Sequence, residues 1–188
     1  MSKQTWQETL VAQYVAGTAF NTYTTAKTVI PTSALRTLPA DFFEIGRTLR
    51  IRVAGSISNI VTTPGTITFQ VMIGAVVAFT TGAIQLSTTA HTTLPFDLEI
   101  LLTCRAVGSG TSANLMGQAV MRSQCVAATA VADSTSTHAS LMAPNAAPAV
   151  GTGFDSTVAN VLDFFCGFSI SDAANQVQIQ QYVVEVLN

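Results

Sequence analysis

The sequence predicts an all-β protein, an antiparallel β-sandwich of the jelly-roll type. Threonine and other β-branched residues are abundant, and long stretches alternate apolar and polar residues with a period of two. Turn residues separate these stretches into about eight strands with apolar inner faces, a pattern typical of sandwiches. Long strands and one wide loop favour a jelly roll over an immunoglobulin-like domain, which usually has about 100 residues.

The first forty residues are the least regular part of the chain, and residues 1–40 are expected to form an N-terminal arm. Thr5 and Glu8 have the spacing of a capping box, which would permit a short helix. The β-branched residues that continue through Ile30 favour a different structure. We expect a strand, a turn at Gly17-Thr18 and a second strand.

The clearest strand runs from Gly46 to Ile60, with Leu49, Ile51 and Val53 on its inner side. The Pro-Gly turn within Thr63–Thr66 follows it, and alternation resumes from Ile67 to Ile73. We therefore predict a hairpin here. Two shorter segments come next, Ala75–Thr80 and Ala83–Leu86.

A long strand is predicted from Leu94 to Val107, and Gly108–Thr111 turns the chain back into Leu115–Val126. Gly117 marks a bulge or a close backbone approach in the returning strand. Residues Ala127–Asp155 have almost no large apolar side chains and are predicted to be an extended loop. The last two strands are Val161–Ile170 and Val177–Leu187, and the predicted core includes Ile51, Phe69, Leu98, Ile100 and Leu102.

The scarcity of charge is the most informative part of the composition. Only 10% of the 188 residues are charged, against about 25% in an ordinary domain. Such a surface favours contact with other protein, so we expect a symmetric homo-oligomer or a larger assembly. The net charge of −2 argues against nucleic-acid binding, which needs clustered Lys and Arg. No repeat or composition break divides the chain, so residues 1–188 are expected to form one domain.

The few charged residues have a structural interpretation. Arg50 and Arg52 would share one strand face, and Asp97 and Glu99 have the same spacing on another strand. We expect these residues to pair across neighbouring strands.

The sequence contains no predicted membrane or targeting segment. Residues Met1–Leu10 lack the basic start and apolar stretch of a signal peptide. The longest apolar run, Val71–Phe79, is far shorter than the ~20 residues that span a bilayer. We expect synthesis in the cytosol and no membrane partner.

Cys104, Cys125 and Cys166 form no close pair and are predicted to be buried free thiols.

No motif predicts catalysis. Gly108–Ala113 fits the nucleotide fingerprint G-x-G-x-x-A, but a strand follows it where a helix is required, so a hairpin turn is the better interpretation. His91 and His138 lie in predicted loops without a second ligand at metal spacing. The spacing of the carboxylates singles out no glycosidase-like pair among Asp41, Glu44, Asp97, Glu99, Asp155 and Asp163. We expect no catalytic residue, no cofactor and no metal, and a protein that is not an enzyme.

Several segments together resemble small virion proteins of tailed bacteriophages. They are Phe42–Ile51, the turn Thr63–Thr66, the segment Asp97–Thr111 and the tail Gly151–Asn188. The resemblance covers nearly the whole chain and is to the jelly-roll group that trimerises and decorates capsids. Similar trimeric jelly rolls also occur in phage tails and fibres. The matching motifs mark strands and turns, so no binding residue is carried over from the family.

The resemblance implies a homotrimeric capsid decoration, or cement, protein that binds outside the shell, bridges major capsid subunits and stabilises them. The alternative is a trimeric tail, baseplate or host-attachment protein with a receptor-binding function. Both imply a virion protein made in the host cytoplasm, whose partners are its own copies and the major capsid protein or another virion protein.

Three aromatic residues stand out near the N-terminus: Trp6, Tyr14 and Phe20. Aromatic side chains are typical anchors of protein interfaces. We expect residues Met1 to about Phe20 to pack against a neighbouring subunit or the shell. The alternative is that Trp6 fills the bottom of its own sandwich.

Overall fold

The computed structural model describes residues 7–60, 62–127, 140–144 and 146–188. In these ranges, thirteen strands form two antiparallel sheets that pack face to face, which confirms the predicted all-β sandwich. A 3-10 turn occupies Thr32–Ala34. The strands are β1 (Glu8–Ala12), β2 (Phe20–Asn21), β3 (Lys27–Thr28), β4 (Arg36–Leu38), β5 (Thr48–Asn59), β6 (Thr66–Ile73), β7 (Val76–Thr80), β8 (Ile84–Gln85), β9 (His91–Ala106), β10 (Asn114–Ser123), β11 (Leu141–Ala143), β12 (Asn160–Phe168) and β13 (Gln176–Val186).

The strand order pairs early strands with late ones. The first sheet has the order β1-β13-β5-β9-β10-β11, and β2 also pairs with β13. The second sheet has the order β3-β12-β6-β7, with β4 on β12 and β8 on β6. These pairs are nested along the sequence, each enclosed by the one before it. From the outermost to the innermost they are β1 and β2 with β13, β3 and β4 with β12, β5 with β9, and β6 with β7. Nested pairing describes one long antiparallel ribbon folded over itself, the strand arrangement of a jelly roll, here with β10 and β11 added at one edge.

The hairpin predicted around Thr63–Thr66 is wrong. Gly65 does turn the chain, with a φ of +71°. However, β5 before the turn belongs to the first sheet and β6 after it to the second. A Pro-Gly turn specifies a local change of direction, but β5 already has β13 and β9 on its two edges. The following strand consequently pairs in the opposite sheet.

The core predicted from period-two alternation is confirmed. Ile51, Phe69, Leu98, Ile100 and Leu102 are all completely buried. They point inward from three long strands, where removal of apolar area from water is the main stabilising contribution. The polar residues between them on β5 and β9 face outward, as expected for strands with one face on the core.

The predicted loop Ala127–Asp155 contains ordered strand pairing in its described part. Strand β11 extends the first sheet, with Ala143 opposite Ala119 on β10. An isolated bridge also joins Val150 to Met116. In β10, Gly117 causes no bulge. It marks a close approach, because a Cβ there would collide with the Phe79 ring of the other sheet.

In its described part, the N-terminal segment forms the two predicted strands, β1 and β2, while Thr5 of the alternative capping box lies outside the described residues. Both β1 and β2 pair with β13, so their common partner lies near the other end of the sequence. Val11 is buried, and the Gln13 N–H donates to the Tyr182 carbonyl at 2.9 Å. Strands β1 and β2 therefore extend the first sheet of their own chain, whereas β3 and β4 pair with β12 in the second sheet.

Candidate interaction surfaces

The outer face of the first sheet concentrates charge. Four of the eight basic residues and three of the ten acidic ones point outward from β5, β9, β10 and β13. We call this surface the charged face, and it comprises Arg50, Arg52, Arg105, Arg122, Asp97, Glu99 and Glu185.

Ion pairs on the charged face follow strand register. Arg50 lies 3.5 Å from Glu99 and 3.6 Å from Glu185, so the expected pairing across neighbouring strands is confirmed for Arg50. Asp97 pairs instead with Arg122 on β10, at 2.6 Å. Arg52 is exposed and has no ion pair within the described ranges. The pairing of Arg122 with Asp97 could not be predicted from the sequence, because it depends on the register between β9 and β10. Half-exposed pairs of this kind contribute little to stability.

Three neighbouring strands of the second sheet carry little charge. Strands β6, β7 and β12 contain one charged residue, Asp163, while Lys27 and Arg36 lie on the short strands β3 and β4 at the other side of β12. Cα pairing places Met72 between Asp163 and Val77, and Phe165 opposite Gln70. We call this surface the neutral face, and its outward residues include Gln70, Met72, Val77, Val161, Asp163 and Phe165.

One carboxylate oxygen of Asp163 accepts two hydrogen bonds from within the chain. Its Oδ1 atom accepts the Thr28 hydroxyl at 2.7 Å and the Phe164 N–H at 2.6 Å. Burial nevertheless raises the pKa of this carboxyl, because desolvation disfavours the charged form more than these hydrogen bonds favour it. Covering β6, β7 and β12 with another protein therefore requires the desolvation of one charged group, the Asp163 carboxylate.

An open pocket of about 460 Å³ with a mostly apolar exposed lining lies at one end of the sandwich, where the ends of β5 and β9 meet the connection between β12 and β13. His91 lies here. The prediction that it sits in a loop is wrong, because it begins β9 and is the Cα partner of Asn59 on β5. His138 lies outside the described residues. The residues that line this pocket are Ser58, Asn59, Ile60, Ala90, His91, Thr92, Thr93, Ala173, Ala174 and Gln176.

The three predicted interface aromatics have different environments. Trp6 lies outside the described residues. Tyr14 is 80% exposed, whereas Phe20 is only 6% exposed and stacks on Phe168 and Tyr23. Phe20 therefore packs within its own chain, and the partner contact stays a prediction for Trp6 and Tyr14.

The three cysteines are buried free thiols, as predicted. Burial raises the pKa of all three thiols, that of Cys125 to about 12.

The segment Gly108–Ala113 forms the turn between β9 and β10, which confirms the hairpin interpretation. Within the described ranges, no three His, Cys, Asp or Glu side chains are grouped closely enough to hold a metal ion. The same part of the chain has no helix of the length and apolarity needed to cross a bilayer.

No protein-family model, curated protein or solved structure matches this chain. The surfaces described above therefore carry the functional argument.

Proposed function

We propose that the chain is a virion structural protein of a tailed bacteriophage, a homotrimeric decoration protein that binds major capsid subunits from outside and stabilises the shell. The neutral face is the observation that carries this proposal. Such a face can be buried against a neighbouring subunit or against the shell, because both are protein surfaces.

The energetic argument concerns the cost of removing water. The 22 residues of β6, β7 and β12 would carry about five charges at the ordinary frequency, and they carry one. Covering an unpaired charge is expensive, whereas covering Gln70, Val77 or Phe165 removes uncharged groups from water. The neutral face therefore suits burial against protein better than the charged face does.

The fold supports the same proposal. Nested strand pairing gives the jelly-roll arrangement that the resemblance implies for capsid decoration proteins. A cyclic trimer repeats one contact three times, so any repulsion in that contact is also repeated. A face with a single carboxylate keeps this repulsion small.

Two measurements test the proposal. Light scattering on a size-exclusion column should give three times the chain mass of 19.7 kDa. A monomeric mass throughout the micromolar range would contradict self-association. Quantified bands from purified virions should show hundreds of copies per particle. A handful of copies would instead support the tail, baseplate or host-attachment alternative.

A further inference from the structure

Asp163 is the one charged residue of β6, β7 and β12, and its carboxyl is half-buried on the neutral face. On one side its Cα partner is Met72 of β6. On the other side, the Thr28 hydroxyl of β3 donates to its Oδ1 atom at 2.7 Å. A protein that covers this face must therefore remove the remaining water from a carboxyl group.

The strands around Asp163 supply no cation that neutralises it. Lys27 on β3 and Arg36 on β4 are the basic residues of the strands that pair with β12, and neither forms an ion pair with Asp163 in the described part of the chain. The Lys27 ammonium group lies over an aromatic ring instead, 3.6 Å from its centroid. Strands β6 and β7 contain no charged residue.

Two other titratable groups face this region from the core, and both stay protonated. Burial and the charge of Asp163 raise the pKa of the Tyr182 phenol on β13, and burial raises the pKa of the Cys166 thiol on β12. Asp163 is therefore the group of this region that changes its charge in the acidic range.

The balance between the two forms of Asp163 depends on how much water reaches it. The Thr28 hydroxyl and the Phe164 N–H donate to the carboxylate and favour it, while burial favours the neutral acid. An uncharged protein surface over the neutral face removes more water and adds no cation, so it favours the neutral acid further.

We propose that self-association through the neutral face takes up one proton at Asp163 of each subunit, so that acid strengthens the trimer and neutral pH weakens it. This inference rests on the proposed function, because it requires a neighbouring copy to cover the face. The proton comes from solvent and converts the carboxylate into the neutral acid, which costs less free energy to bury. An assembly that binds more protons than its separate subunits is favoured as the pH falls.

The experiment measures self-association of the full chain by light scattering at a series of pH values from 4 to 8. The midpoint concentration for self-association should rise about tenfold or more across this range, because one pKa unit in each subunit changes that subunit's protonation equilibrium about tenfold. Asp163→Asn cannot ionise, so at pH 8 it should self-associate as tightly as the parent protein does at pH 4. Asp172→Asn, at the β12–β13 connection, makes the same change in net charge and should keep the pH dependence of the parent protein.

Thr28→Val provides a second test that leaves the carboxyl in place. Loss of a hydroxyl that donates to the carboxylate raises the pKa of Asp163, so the change in self-association should move to higher pH. Thr28 is exposed, so the variant should fold. A purely structural role of Thr28 would alter stability without moving this change along the pH scale.

The outcomes distinguish this inference from the proposed function. A monomer at every pH would contradict self-association and, with it, the inference. A trimer that is equally strong from pH 4 to 8, or stronger at pH 8, would leave self-association standing and overturn the inference alone. The same pH dependence in Asp163→Asn as in the parent protein would also overturn it. If Asp163→Asn does not fold, an unmoved pH dependence in Thr28→Val leads to the same conclusion.

Discussion

Phe69 and Phe164 stack on each other within the second sheet, with ring centroids 5.6 Å apart and ring planes 13° apart. Each ring also contacts an aromatic residue of the first sheet. Phe96 lies 5.7 Å from Phe69, and Tyr182 lies 5.8 Å from Phe164. This four-ring chain joins the two sheets through the middle of the core, where aromatic pairs add to the energy of burial.

Neighbouring phenylalanines on β12 provide a matched test of this core. Phe164→Ala should cost about 3 to 5 kcal/mol of unfolding free energy, because it removes a completely buried ring and leaves a cavity. Phe165→Ala should cost clearly less, because that ring is half-buried on the outer side. Urea denaturation measures both. Equal losses would mean that the register of β12 is wrong by one residue.

A charge placed on the neutral face should disrupt assembly. Phe165→Glu introduces a second carboxylate near Asp163, so covering the face would require desolvation of two like charges. We expect light scattering to show a shift from trimer towards monomer. Gln118→Glu, on the outer side of β10, is the matched control and should remain trimeric. A trimer that survives Phe165→Glu but not Gln118→Glu would place the interface on the first sheet.

The half-buried carboxyl of Asp163 on the neutral face should make stability depend on pH. The folded-state pKa of Asp163 is raised, so the folded chain binds this proton more tightly than the unfolded chain does. The resulting stabilisation is fully present below the unfolded pKa of about 3.9 and is lost as pH rises through the folded pKa. Asp163→Asn cannot ionise and keeps an acceptor for Thr28 and the Phe164 N–H.

Asp163→Asn should therefore be more stable than the parent protein at neutral pH, and the difference should shrink towards zero as the pH falls below about 3.9. Urea midpoints at a series of pH values measure this difference. Asp172→Asn, at the β12–β13 connection, serves as the control. A variant less stable than the parent protein at pH 7 would show that the carboxylate is stabilising.

The exposed ring of Tyr14 should matter to a partner and not to folding. Tyr14→Ala is expected to change the unfolding free energy by no more than about 0.5 kcal/mol, because the side chain is 80% exposed. If residues near the N-terminus contact a neighbouring subunit or the shell, the same variant should weaken assembly or occupancy on particles. Full occupancy would exclude Tyr14 as an anchor.

The thiols should be unreactive in the folded protein. Cys104, Cys125 and Cys166 are buried, and their raised pKa values disfavour the reactive thiolate. At pH 8, a colorimetric thiol reagent should detect three thiols per chain in denaturant. Within the same few minutes it should detect none in the folded protein. Rapid reaction of one equivalent would show that a part of the core opens readily.

Much of the strand content could be predicted from the sequence, because the side-chain period of a strand is two. Alternation along Leu98, Ile100 and Leu102 identified the inner side of β9, and the glycines at 108 and 110 identified its turn into β10. Both features depend on residues that are close in the chain. There, the backbone geometry of a strand fixes the side to which each side chain points, and that of a turn fixes where the chain reverses.

The assignment of strands to sheets and the set of residues around the pocket at the ends of β5 and β9 depended on tertiary structure. Asn175 lies in a predicted connection, yet its buried side chain donates to the carbonyl of Pro64 and accepts the Ile60 N–H. These contacts join segments 111 and 115 residues apart and hold the crossing between β5 and β6. Likewise, Asn59 meets His91 only through the β5–β9 register. Local propensity cannot specify such pairs, because register between distant strands is decided by which side chains the whole core can bury together.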